Sequence, residues 1–138
     1  MKNLPSSVSK YLENYNSFKL KDVSGRYINY GHIEGSLNQF SESLTMELPG
    51  KSTLGNLIPS FIIGKGPIKV LAWSQMHGNE STTTKGILDI LNAVYLKKSI
   101  FEDILAKCTI CIIPMLNPDG AKAYTRENAN SVDLNRDA

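Results

Sequence analysis

Apolar residues recur along this chain with two different periods. Val8, Tyr11, Leu12, Tyr15 and Phe18 fall three or four apart behind Pro5-Ser6-Ser7, which predicts an N-terminal amphipathic helix that covers the core. After a turn at Ser24-Gly25, residues 27–48 are ambiguous as a whole. Leu44-Thr45-Met46-Glu47-Leu48 then alternates as a strand and is expected to stop at Pro49-Gly50. A second strand, about 57–63, runs into Gly64-Lys65-Gly66-Pro67, which reads as a hairpin turn into a third strand, Ile68-Lys69-Val70-Leu71-Ala72-Trp73. Ser81-Thr82-Thr83-Thr84 opens a helix with Ile87, Ile90, Leu91, Val94 and Tyr95 on one apolar stripe. A β-branched run at about 107–114 is a further strand, broken at the turn sequence Asn117-Pro118-Asp119-Gly120.

Strand, helix and strand in that order predict a right-handed crossover within an α/β fold, a mixed central sheet flanked by helices. In such sheets ligands gather where loops leave the carboxyl ends of strands. His77 and Asn117 both fall there. With no repeat, low-complexity tract or linker, residues 1–138 read as part of one domain. The 41% apolar and 20% charged composition supports a globular core.

Fifteen basic against thirteen acidic residues leave a net charge of +2, and no basic run is interleaved with aromatics. Nucleic acid is therefore not an expected partner. No apolar stretch approaches the roughly 20 residues of a membrane helix, and Met1-Lys2-Asn3-Leu4-Pro5 leads into a polar segment, so the expectation is a cytoplasmic protein. Cys108 and Cys111 have the spacing of a redox or zinc pair. On a strand, however, residues three apart face opposite sides with Cα atoms roughly 10 Å apart, too far for a disulfide. They are expected to be inert core thiols.

His77 and Glu80 bracket one turn between strand end and helix start, close enough to share a metal that needs imidazole and carboxylate donors. By itself His77-Gly78-Asn79-Glu80 reads more readily as a loop histidine beside a helix-capping acid than as a metal pair. It is followed, in order, by Pro114-Met115-Leu116-Asn117-Pro118-Asp119-Gly120 and by Arg126-Glu127-Asn128-Ala129-Asn130-Ser131-Val132-Asp133-Leu134-Asn135-Arg136. This ordered set, over about residues 44–138, resembles the M14 zinc carboxypeptidase family, of bacterial type.

The resemblance implies that the chain is the N-terminal part of a zinc carboxypeptidase catalytic domain, with a phosphorylase/hydrolase-like fold that this chain leaves truncated. It implies that His77 and Glu80 bind Zn²⁺ and that Asp133 accepts a hydrogen bond from the second ring nitrogen of His77. Arg126 would stabilise the oxyanion of the tetrahedral intermediate. Asn135 and Arg136 would hold the free C-terminal carboxylate of a peptide substrate. Asn117-Pro118-Asp119-Gly120 would be architectural. Ser131 stands where the family has Gly, straining a turn, and Asn79 stands where the digestive branch has Arg. His32 has no counterpart in a metal role and reads as a surface or turn residue.

The family's second zinc histidine and its catalytic glutamate lie beyond the Asn-Arg motif, and this chain stops at Ala138. The fragment is therefore expected to hold zinc weakly and to hydrolyse little. The interrupted sheet would expose an apolar edge. Three rival readings share the residues: a zinc-dependent acyl-amino-acid deacylase of the aspartoacylase or succinylglutamate desuccinylase kind, a bacterial cell-wall peptidase, and a non-catalytic relative that only binds peptide termini.

Overall fold

The computed structural model describes residues 6–136, so Met1–Pro5 and the last two residues lie outside it. Helix α1 (Ser6–Asn14) passes through a 3-10 turn, Tyr15–Ser17, to the buried Phe18. The predicted stripe is only half used. Tyr11 and Phe18 pack edge-on against Phe101, while Val8 and Leu12 face solvent.

Residues 27–44, without a clear period in the sequence, contain helix α2 (Tyr30–Ser41). Ile33, Leu37 and Phe40 lie on its inner face and are all but fully buried, each side chain stabilising the fold by roughly 1.5–3 kcal/mol. Asn29 caps this helix and His32 is its third residue. The His32 Nδ1 accepts from the Asn29 N–H at 3.1 Å, half of a capping box, and its side chain stays exposed.

The sheet has four strands, β1 (Thr45–Lys51), β2 (Leu57–Gly64), β3 (Ile68–Trp73) and β4 (Cys108–Ile113), in the order β1-β2-β4-β3. β1 runs through Pro49-Gly50 instead of stopping there, with its register shifted between Glu47 and Gly50. An edge strand tolerates this, because the missing proline N–H faces away from the ladder or into an irregularity.

The hairpin expected at residues 64–67 does not form. β4 lies between β2, to which it is antiparallel, and β3, to which it is parallel. Gly64 and Gly66 carry the chain across the end of β4, where a Cβ on Gly64 would strike the backbone of Cys108 and Leu105 and one on Gly66 that of Lys107 and Cys108. Lys65 N–H donates to Leu105 O at 3.0 Å and Gly66 N–H to Cys108 O at 3.1 Å. The chain still reverses direction between β2 and β3, but the glycines carry that reversal across β4 instead of joining two paired strands.

Between β3 and β4 stands α3 (Thr82–Tyr95), followed by a 3-10 turn, Ser99–Phe101, and α4 (Glu102–Lys107). The deepest face of α3 is Thr84, Leu88, Leu91 and Asn92, with Ile87, Ile90, Val94 and Tyr95 on its flanks. Its polar members are satisfied: Asp89 accepts from Tyr15 OH and Leu20 N–H, both at 2.7 Å, and Asn92 donates to Phe18 O at 2.7 Å. These bonds fasten the N-terminal segment to the core.

β3 is the other edge of the sheet, and its Ile68, Leu71 and Trp73 are 45–59% exposed. Cys108 and Cys111 are free thiols and only half-buried. No helix among the described residues is long and apolar enough to cross a membrane.

Candidate functional site

Beyond the parallel pair β3/β4 the two chains stay zipped together. Ser74 N–H donates to Ile113 O, Leu116 N–H to Ser74 O and Asn117 N–H to Gln75 O, at 2.9–3.1 Å. The loop carrying His77 and the start of α5 (Pro118–Ala123) therefore leave the sheet side by side. Asn117-Pro118-Asp119-Gly120 is a helix start, with Pro118 at the first helical position. The Asn117 side chain accepts from Gly120 N–H at 2.9 Å.

The same Asn117 amide donates to Met76 O and Glu127 O, both at 3.1 Å. Asn117 thus ties three segments of the site. Two glycines let those segments touch: a Cβ on Gly78 would overlap the backbone of Gly120 and Ala121, and one on Gly120 would meet Glu127 O. Asp119 is buried and accepts from Ser52 Oγ at 2.6 Å, Asn56 Nδ2 at 2.7 Å and Leu54 N–H at 3.1 Å, fixing the β1–β2 turn against α5.

Four charged or ionisable side chains meet on this frame. His77 Nε2 lies 3.1 Å from Asp133 Oδ1, and His77 Nδ1 lies 3.2 Å from Glu80 Oε2. Arg126 Nε donates to Asp133 Oδ2 at 2.9 Å, and its Nη1 reaches Glu80 Oε1 at 3.5 Å. The imidazole is sheltered at 11% exposure, whereas the Glu80 carboxylate is 62% exposed and open to an incoming group.

The Arg126 guanidinium, followed by the Asn135 N–H and His77, holds the Asp133 carboxyl down at about 2, against an ordinary 3.8, despite partial desolvation. An ionised carboxylate only accepts, so the hydrogen of the His77 ring belongs on Nε2. Nδ1 then presents its lone pair to Glu80, and two acceptors at that separation repel unless a cation or proton lies between them. The donor set therefore fits a divalent metal of borderline softness, with one nitrogen and one carboxylate. Among the described residues no third His, Cys, Asp or Glu completes such a shell.

Beside this pair opens a cavity of about 240 Å³, lined by Trp73, Met76, His77, Glu80, Thr83 and Asn135 among others. Asn135 is held there by its backbone, which donates to Asp133 Oδ1 at 3.0 Å. Arg136 is adjacent in sequence but does not line the cavity. Its exposed guanidinium folds back to its own neighbour, with Nη1 donating to Asn135 O at 3.0 Å.

The sequence profile of a family described as zinc carboxypeptidase matches residues 30–137. This chain belongs to the zinc carboxypeptidase family. The match begins ahead of the motif region at 44–138 and takes in α2.

Among curated relatives, the chain is 38% identical to Carboxypeptidase SOL1 of Arabidopsis thaliana over 65 residues, which are 45% of this chain and 13% of that protein. It is 32% identical to Carboxypeptidase 2 of Trichophyton tonsurans over 71 residues, 50% of this chain and 13% of that protein. Its matches thus span about an eighth of the length of those relatives.

Among solved structures, a metallo-carboxypeptidase from Burkholderia cenocepacia superposes with a TM-score of 0.67 at 19% identity, over 78% of this chain and 32% of that one. The Carboxypeptidase A from Helicoverpa armigera gives 0.64 at 22% identity, over 94% and 40%. The zinc carboxypeptidase fold is shared at this level.

Sequence reasoning passed over Gln75, Gly78 and the anchoring role of Asp119. A polar residue two places before the histidine and a Gly in each motif were the available signals.

Proposed function

We propose that the full protein is a zinc carboxypeptidase that removes the C-terminal residue of a peptide, with His77 and Glu80 as two protein ligands of its metal. The observation that carries this reading is the opposed pair His77 Nδ1 and Glu80 Oε2 at 3.2 Å, with the other ring nitrogen occupied by Asp133. Bound zinc would polarise the scissile carbonyl and acidify a water.

The remaining work falls to the chain. Asp133 fixes the tautomer and plane of His77, which keeps Nδ1 available as a donor. Arg126 stands within reach of Glu80 with its Nη2 unpaired among the described residues, which suits it to stabilise negative charge on the substrate carbonyl oxygen. Asn135, at the cavity wall, and Arg136, whose exposed side chain can leave the Asn135 carbonyl, would take the substrate's terminal carboxylate, Arg136 through two parallel N–H···O bonds. That clamp selects a free C-terminus. A third ligand and the group that moves the proton would come from outside residues 6–136.

The test is turnover by the full-length gene product of peptides with free C-termini, the same peptides amidated, and N-acyl amino acids, each with and without a chelator. Chelator-sensitive release of the last residue from the free peptides alone is expected. Turnover of N-acyl amino acids alone would assign the site to deacylation instead, and zinc binding without turnover of either would leave a terminus-binding protein.

A further inference from the structure

Two residues before His77, Gln75 has a left-handed backbone at φ +48° and a side chain only 2% exposed. Left-handed backbone is unfavourable for any residue with a Cβ and persists only where surroundings enforce it. Here the side chain does so. Nε2 donates to Ile28 O at 2.7 Å and to Gly78 O at 2.9 Å, and Oε1 accepts from Thr84 Oγ1 at 2.7 Å. Both amide hydrogens and the oxygen are used.

The bond to Gly78 O closes the loop around His77 from inside. The bond from Thr84 fixes it to α3, and that to Ile28 fixes it to the segment before α2. Thr84 Oγ1 also lies 2.9 Å from Ser74 Oγ, but with the Thr84 hydrogen on Gln75 and the Ser74 hydrogen on Pro114 O at 2.5 Å, the two hydroxyls touch with no hydrogen between them. A buried amide with both hydrogens and its oxygen bonded is held to one arrangement.

We propose that Gln75 is a positioning residue for the metal pair: by clamping Gly78 O and α3 at once, it sets the separation and aim of His77 Nδ1 and Glu80. This rests on the zinc reading above. Ile28 and Thr84 are its anchors, and the left-handed turn is what brings its amide under the loop.

The experiment compares full-length wild type with Gln75→Gly, Gln75→Glu, Thr84→Val and His77→Ala. It measures zinc affinity by chelator competition, the thermal midpoint of the metal-free protein, and the visible spectrum of the Co²⁺-substituted form. Gln75→Gly relieves the positive φ but removes all three side-chain bonds, so its zinc affinity should fall about 10- to 100-fold, the usual effect of losing a support behind a ligand. Its cobalt band should shift, and its metal-free midpoint should fall as well, because three buried hydrogen bonds are lost.

Gln75→Glu keeps the acceptor for Thr84 but sets an acceptor against two carbonyls, and should weaken zinc similarly, which retains the test if the glycine variant does not fold. Thr84→Val cuts the tie to α3 but leaves both Nε2 bonds, and should weaken zinc by less than either Gln75 variant does. A Gln75 that is only structural would lower the metal-free midpoint and leave affinity and spectrum unchanged, which overturns the inference. Wild-type zinc binding unmoved by His77→Ala would sink the zinc reading, and this inference with it. Loss in His77→Ala with none in either Gln75 variant would sink this inference alone.

Discussion

Replacing Gly78 by alanine adds one methyl group where the backbones of Gly120 and Ala121 already stand. Ordinary carbon–carbon contact lies at about 3.5–4.0 Å, so the two segments must part by roughly 1 Å or more. Neither obstacle is the end of a flexible side chain. Gly120 is locked into α5 by Asn117 Oδ1 at 2.9 Å, and the Asn117 amide holds Met76 O and Glu127 O at 3.1 Å. Parting the segments breaks the bond to Met76 and strains the one to Glu127. Two hydrogen bonds at about 0.5–1.5 kcal/mol each, plus overpacking at about 1–3 kcal/mol, give a cost of roughly 2–6 kcal/mol.

Alanine's stiffer unfolded chain returns only about 0.4–1 kcal/mol of that. Gly35, on α2 with open space around its Cβ direction, is the control: Gly35→Ala should stabilise by up to about 1 kcal/mol. Urea denaturation of the full-length protein followed by fluorescence measures both. Gly78→Ala should lower the midpoint and Gly35→Ala should raise it. A Gly78→Ala protein as stable as wild type would refute the claim that this glycine exists for backbone contact.

Two further outcomes follow from the same loop. The Asp133 carboxyl is depressed from 3.8 to about 2, so its contribution to stability is complete above the unfolded value and is lost as pH falls from about 4 through 2. Asp133→Asn should flatten the acid limb of stability in that window, as read by denaturation at successive pH values; an unchanged limb would exclude Asp133 as its source. Ser131 holds φ +60° in an exposed turn, so Ser131→Gly should raise stability by up to about 1 kcal/mol, since relief of the left-handed backbone exceeds the added chain entropy, and a lowered denaturation midpoint would contradict this.

Elements with a clean period were legible before any coordinates. β2, β3, β4 and α3 fall within a residue or two of where alternation and helical spacing put them. α2 was not legible, because Gly31, His32 and Gly35 interrupt its surface and its start depends on a histidine completing a capping box. The reading of Gly64-Lys65-Gly66-Pro67 as a hairpin failed for a similar reason. Glycines that turn a chain between paired strands and glycines that carry the turn over a third strand have the same local sequence, and only the position of Lys107 and Cys108 separates them.

Ordered motifs determined the family and nominated His77, Glu80, Arg126, Asp133, Asn135 and Arg136, because a chemistry leaves its residue types and spacing in the chain. The fold decided what each one faces. His77 and Asp133 are 56 residues apart, and nothing local dictates that Nε2 should meet that carboxylate while Nδ1 meets Glu80. That arrangement depends on β4 lying between β2 and β3, on Gly78 lying against Gly120, and on Gln75 bonding Ile28, Gly78 and Thr84. Periodicity is a property of neighbours along the chain, whereas the orientation of a donor is a property of neighbours in space.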